Sequence, residues 1–253
     1  MNMKNEYFPE KTDYPDNLDI IKTKKSKQYY NAIESSASAY FDSPKTVKKL
    51  FFKRLTEVIS LIGDKKYNLT LDAGTGIGIV LPYLSQKSQE IIAIDYSDIV
   101  NYAAFMCEKK GIKNVSFQKV DLNKFTSKNK FDLILCLSVL EHIENPAIIF
   151  EKFNEILHEH GTLIVGYPIE TSIVKLFRHL ESYFRKSINK KIIEDSYKKT
   201  EEFAGHISDW KKIDRALIKN FNIEKKIDLK FCFLKYYAIR KVHKKKEDNL
   251  HET

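Results

Sequence analysis

Residues 71–80 read LDAGTGIGIV: the end of an apolar strand, an aspartate, then glycines at 74, 76 and 78. A stretch of this kind is either a loop that holds a ligand or a tight strand-to-helix turn rich in glycine. The spacing is G-x-G-x-G, and position 79 is Ile where a dinucleotide fingerprint would place its third glycine. No Gly-Lys-Ser/Thr follows, so a phosphate-gripping P-loop is excluded.

Outward from the loop, short β-branched runs alternate with helix-length amphipathic stretches, the pattern of βαβ units and a parallel sheet. The predicted strands are 69–73, 91–95, 115–120, 131–137 and 161–167, with a final pair near 222–228 and 231–240. Predicted helices lie near 78–88, 98–110 and 146–158, the last opened by Asn145-Pro146 and closed by the HEHG of 158–161. Upstream, Val47, Leu50, Phe51, Leu55, Val58, Ile59 and Ile62 recur at helical spacing, which predicts a helix over 44–62 packing on the sheet. Residues 1–28 read as a loose polar arm.

A chain of 253 residues with 43% hydrophobic and 12% aromatic content is long and apolar enough to bury a sizeable core. The N-terminal MNMKNEYFPEKTDYPDNLD is polar and lacks the apolar region of a secretory signal, so the expected location is cytoplasmic. Cys107, Cys136 and Cys232 are odd in number and widely spaced, which points to neither a disulfide framework nor a zinc site. The net charge of +9 is unevenly spread: +4 over residues 1–70, −4 over 71–170 and +9 over 171–253. The glycine loop thus lies in the acidic third, which suits a neutral or cationic small molecule, while the flanks suit an anionic partner or simply a solvated surface.

Three further positions turn the loop into a ligand site. Asp95 follows Asp72 by 23 residues, where a carboxylate accepts both ribose hydroxyls of an adenosine. Tyr96 is placed to lie against an adenine face. Asp121, in Val120-Asp121-Leu122, stands where a carboxylate accepts from the adenine amino group, or else serves as a loop or N-cap carboxylate.

With LDAGTGIG, AIDYSDIV, VDLNKF, FDLILCLSVLEHIENP and GTLIVGYP, residues 45–170 resemble the class I S-adenosylmethionine-dependent methyltransferases, Thr75 standing where a cysteine is usual. The resemblance implies an α/β, doubly wound, Rossmann-like seven-stranded sheet with an antiparallel last strand. It implies S-adenosyl-L-methionine as cofactor, with the backbone of Ala73, Gly74, Thr75 and Gly76 against its methionine portion and Asp72 toward its ammonium. By the same resemblance Asp95 holds the ribose, Tyr96 stacks on adenine, Asp121 and the Leu122 amide read the adenine edge, and Leu137 and Ser138 lie beside the sulfonium.

The expected organisation is an arm and helical cover over 1–44, then the methyltransferase domain over 45–253 with a helical insertion at 171–205 shaping the acceptor site. His142, just past the fourth strand, is either a general base and acceptor-orienting group or a structural histidine bonded to loop backbone. His206 is a second candidate, and no metal site is indicated. Over 171–193 an apolar stripe (Ile173, Leu176, Phe177, Leu180, Phe184, Ile188) is flanked by Lys and Arg. Such a basic amphipathic helix serves as a lid, a dimer interface or a peripheral contact with an anionic membrane. Tyr29, Tyr30 and Tyr40 either close over the cofactor or pack. The expected activity is O-methylation of a small-molecule or glycan-like, lipid-linked acceptor. The rival readings are an RNA or protein methyltransferase docking through the basic flanks, and a non-catalytic cofactor-binding partner subunit. Ser138-Val139-Leu140-Glu141 stands where base-methylating enzymes carry Asp/Asn-Pro-Pro-aromatic, which makes nucleic acid an unlikely partner.

Overall fold

The computed structural model describes residues 7–15, 37–41, 43–169 and 207–245. The predicted helix over 171–193, the insertion containing it, His206, Tyr29 and Tyr30 lie outside the described residues.

Seven strands form one sheet in the order β3-β2-β1-β4-β5-β7-β6. They are β1 (Tyr67–Ala73), β2 (Ser88–Asp95), β3 (Val115–Lys119), β4 (Phe131–Leu137), β5 (Leu157–Pro168), β6 (Phe221–Phe231) and β7 (Leu234–Lys244). The first five run parallel, and β7 enters antiparallel to both β5 and β6. Helices α1 (Ala37–Phe41), α2 (Lys45–Ile62), α3 (Leu81–Lys87) and α4 (Val100–Lys109) precede α5 (Pro146–Ile156) and α6 (Trp210–Asn220).

Side chains alternate across the sheet with period two, and this assigns the helices to faces. Leu133 and Leu135 of β4 pack into one core with Leu55, Val58, Leu81, Leu84, Ala103 and Met106, from α2, α3 and α4. Ile134 and Cys136 pack into the other with Ile149, Phe150 and Phe153 of α5 and Ile213 and Leu217 of α6. The chain order reverses at β1, between β2 and β4, so the carboxyl ends of β1 and β4 open the crevice where open α/β sheets bind ligands.

Several predicted boundaries move, each for a packing reason. Helix α3 begins only at Leu81, because residues 74–80 form a turn with Gly74, Gly76 and Gly78 at φ of 82°, 56° and 77°. Helix α5 ends at Ile156, and His158-Glu159-His160-Gly161 belongs to β5 rather than to a helix terminus. The fully buried Leu157 pairs with Phe131, which draws the chain into the sheet one turn early. The N-terminal arm is not loose where it is described: Tyr14 is buried and its hydroxyl donates to the carbonyl of Ile77 at 3.0 Å, so the arm packs on the glycine turn.

A buried ionic cluster fixes the far edge. Arg240 on β7 bonds Asp214 of α6 through Nε (3.1 Å) and Nη2 (3.3 Å) and Asp228 of β6 through Nη1 (2.8 Å). The Tyr167 hydroxyl donates to the same Asp214 carboxylate. Arg240 is 3% exposed, so the cluster clamps helix and hairpin together out of water. Among the described residues no helix is long and apolar enough to cross a membrane.

Candidate functional site

The glycine turn leaves β1 at Ala73 and is tied back by its own amides. Gly74 and Thr75 both donate to the Ile94 carbonyl at 2.9 Å, Gly78 donates to the Thr75 carbonyl at 2.9 Å, and Gly76 donates to the Asp95 carboxylate at 3.0 Å. A phosphate cradle needs such amides free and pointing at the ligand. Here they are consumed, so the turn and its surroundings offer acceptors: carbonyl oxygens and two buried carboxylates. That set suits a ligand that donates, through an ammonium and ribose hydroxyls, and it fits S-adenosylmethionine better than a dinucleotide pyrophosphate.

Asp72, at the end of β1, is buried and accepts from the Thr75 hydroxyl at 2.7 Å. Burial pushes its carboxyl up from 3.8 to about 6, the Thr75 bond opposes the rise and the neighbouring Asp95 charge adds to it. Asp95, at the end of β2, accepts from the Ser97 amide (3.0 Å) and hydroxyl (2.9 Å) on one oxygen and from Gly76 on the other. Its carboxyl is also raised by burial, against those hydrogen bonds. Ser97 thus orients Asp95, and the sequence alone did not single it out.

Gly74 is required by the protein itself. An added Cβ there would lie 2.1 Å from Val139 Cγ2, so the turn and the segment after β4 touch directly. This contact brings Leu137 and Ser138 beside the turn. Ser138 is strained, with φ 56° at a non-glycine residue, and it is held by its amide to the Gly166 carbonyl (2.7 Å) and by its hydroxyl against the Tyr237 hydroxyl (2.9 Å).

The remaining candidates divide. Tyr96 stands 59% exposed beside Asp95, open to a ligand face. Asp121 follows closely, since the Val120 amide donates to the Asp95 carbonyl at 2.8 Å. Its carboxylate accepts from Asn123 N (2.8 Å) and Nδ2 (3.0 Å), so it organises its own turn, the loop role that the sequence left open; Leu122 beside it is buried. His142 ends a 3-10 turn over Leu140–His142 and is exposed, with its amide donating to the Val139 carbonyl at 2.9 Å. His206 is not described; Ile207 and Ser208 donate their amides to the Glu141 carbonyl at 2.8 and 3.0 Å, which sets those two residues against the turn that carries His142. Among the described residues no group of three or more His, Cys, Asp or Glu side chains is placed to hold a metal.

Sequence reasoning missed Arg54 and Tyr237. Arg54 carried a signal: it lies three residues after Phe51, four after Leu50 and four before Val58, on the apolar face of its helix. Tyr237 carried none, because only the antiparallel pairing of β7 with β5 brings it to Ser138.

A doubly wound sheet with one reversed strand and an acceptor-rich turn at its switch point is a Rossmann-like arrangement suited to a nucleoside ligand. The profile of the family described as Methyltransferase domain matches residues 64–222, well over half of the chain. The chain therefore belongs to the S-adenosylmethionine-dependent methyltransferases. It is 23% identical over 191 residues to a probable (S)-tetrahydroprotoberberine N-methyltransferase 2 of Papaver bracteatum, a match covering 65% of this chain and 53% of that one. It is 28% identical over 118 residues to a ubiquinone biosynthesis O-methyltransferase of Glaesserella parasuis, covering 43% and 50%. The chain spans about half the length of these curated relatives. Among solved structures, magnesium protoporphyrin IX methyltransferase of Synechocystis with bound S-adenosylhomocysteine shares the fold. Its TM-score is 0.62 at 17% identity, covering 87% of this chain and 98% of that one. N-methyltransferase NodS of Bradyrhizobium japonicum with the same ligand gives 0.61 at 13% identity, covering 86% and 100%.

Proposed function

We propose that the chain transfers a methyl group from S-adenosylmethionine to an oxygen of a small-molecule or glycan-like acceptor. The observation that carries the reading is the turn at 73–78, whose Gly74, Thr75, Gly76 and Gly78 amides are spent internally while two buried carboxylates, Asp72 and Asp95, remain at the strand ends. In this reading Ala73, Gly74, Thr75 and Gly76 lie along the methionine portion, Asp72 receives its ammonium and Asp95 receives the ribose hydroxyls. Tyr96 covers one adenine face, and the Asp121 turn with the Leu122 amide meets the adenine edge. Leu137 and Ser138 border the sulfonium.

Bound there, the cofactor would supply an electrophilic methyl carbon on a sulfide leaving group, open to in-line attack by an acceptor oxygen that forms the carbon–oxygen bond as the carbon–sulfur electrons pass to sulfur. The protein's work is alignment and exclusion of water. His142, exposed one turn beyond β4, takes the hydroxyl proton as oxygen attacks. Support for oxygen comes from the several O-methyltransferases of ubiquinone biosynthesis among the similar sequences. The test is methyl transfer to a panel of phenols, sugars and amines, read by mass of the product. His142→Ala lowers kcat on a hydroxyl acceptor while S-adenosylhomocysteine affinity holds. Unchanged turnover removes His142 from the chemistry, and transfer to amines alone overturns the choice of oxygen.

A further inference from the structure

Arg54 is a cation packed over the ring of Tyr237, whose hydroxyl meets Ser138 just past the end of β4. Its guanidinium has five N–H donors. Among the described residues only Nη2 is matched, to the Tyr40 hydroxyl at a long 3.3 Å, and Nε is sealed from water with no acceptor. Among the described residues no carboxylate oxygen lies within 4.0 Å of it. Glu141 acts on it only through space, after the larger influences of burial and of Tyr40 and Tyr237, and the group stays fully charged. The ring of Phe51 lies 3.8 Å and that of Tyr237 4.6 Å from its central carbon, so flat aromatic walls flank the guanidinium plane. The side chain lies deep among its neighbours yet keeps some accessible surface.

The position is fixed with respect to the end of β4. Tyr237 links Arg54 to Ser138 through the 2.9 Å hydroxyl contact, and its hydroxyl lies so near Gly166 that an added Cβ there would sit 2.7 Å away. Helix α2 is tied to β7 by the Tyr236 hydroxyl donating to the Leu50 carbonyl at 3.2 Å. Arg54 therefore stands one aromatic ring from the end of β4, over the strand ends of β5 and β7. A buried cation with no ion-pair partner among the described residues is expensive to maintain. An anion arriving with a ligand would remove that penalty and engage Nε.

We propose that Arg54, with Tyr40, Phe51 and Tyr237, binds a carboxylate or phosphate carried by a flat acceptor and so selects acidic acceptors for methylation. This rests on the methyltransferase reading above. The acidic net charge of 71–170 does not oppose it, since α2 delivers the guanidinium from the basic segment before β1.

The test titrates S-adenosylhomocysteine-saturated protein by calorimetry with benzoate, phenyl phosphate and neutral benzamide. Wild type binds one of the two anions at least tenfold more tightly than benzamide, and which anion wins names the group. Arg54→Met, which keeps the apolar stem, loses that preference; Arg54→Lys keeps part of it; both retain S-adenosylhomocysteine affinity within threefold. If Arg54→Met does not fold, the wild-type preference for an anion over benzamide still decides. No anion preference in wild type overturns the proposal. So does a tenfold loss of S-adenosylhomocysteine affinity in the folded Arg54→Met protein, which would assign the guanidinium to the cofactor's own carboxylate. Failure of wild type to bind S-adenosylhomocysteine would sink the methyltransferase reading instead, and the same anion titration on the free protein would then judge Arg54 alone.

Discussion

In the proposed function, Asp72 ties cofactor binding to a proton. Its carboxyl is buried, accepts one hydrogen bond from Thr75, lies beside the charge of Asp95 and titrates at about 6 rather than 3.8. A ligand ammonium needs the ionised form. At pH 5 about nine-tenths of Asp72 holds a proton that binding must expel, whereas at pH 7.5 almost none does. Expelling it costs about 1.4 kcal/mol, so the dissociation constant of S-adenosylhomocysteine rises about tenfold between pH 7.5 and pH 5. Calorimetry at pH 5.5 in two buffers of different ionisation enthalpy reads the released proton directly, at about three-quarters of a proton per site. Asp72→Asn flattens both the affinity profile and the proton release. The stability effect has the opposite sign. Because the folded pKa is raised, the contribution of Asp72 to the free protein's stability is fully present below the unfolded value of 3.8 and is lost as pH rises through about 6. On this proposal proton and cofactor compete for one carboxylate. A wild-type dissociation constant that ignores pH, or a slope that survives in Asp72→Asn, refutes this assignment.

Three further outcomes test the architecture. Gly74→Ala combines a residue at φ +82° with a Cβ 2.1 Å from Val139 Cγ2, and urea unfolding should show a loss of about 2–4 kcal/mol. Adding Val139→Ala should recover about 1–2 kcal/mol of that by removing the clash alone, and strict additivity of the two would contradict the contact. Asp214→Asn leaves the buried Arg240 half-paired and should lower stability by about 3 kcal/mol, with part regained in Asp214→Asn/Arg240→Met; a neutral single variant would contradict the clamp. Of the three cysteines, the exposed Cys232 should react within minutes with a thiol reagent in the native protein. The buried Cys107, pushed up to about 12, and the buried Cys136, also raised by burial, should wait for denaturant; two fast thiols would contradict the burial pattern.

The sheet was legible in the sequence because its central strands are buried on both faces and read as unbroken apolar runs, FDLILCL at 131–137 above all. Asp72, Asp95 and the glycines were legible because local chain geometry at a strand end dictates them. The end of α5 was not, since His158 to Gly161 carry helix-end residues while a long-range pairing, Leu157 with Phe131, decides their fate. The arm misled for the same reason: a polar run hides the one burial of Tyr14 that ties it to the turn. The acceptor side was the least legible. Ser138, Tyr237 and Arg54 come from segments joined only by sheet register and helix packing, and no local pattern announces their meeting.

The central claim is that the turn after β1 and the carboxylate ending β2 form a nucleoside-cofactor site. Calorimetric titration of wild type and Asp95→Ala with S-adenosylhomocysteine tests it most directly, with thermal melts to show that both proteins are folded. Wild type should bind at micromolar affinity and the variant at least tenfold more weakly. A folded wild type that fails to bind, or a variant that binds equally well, would contradict it.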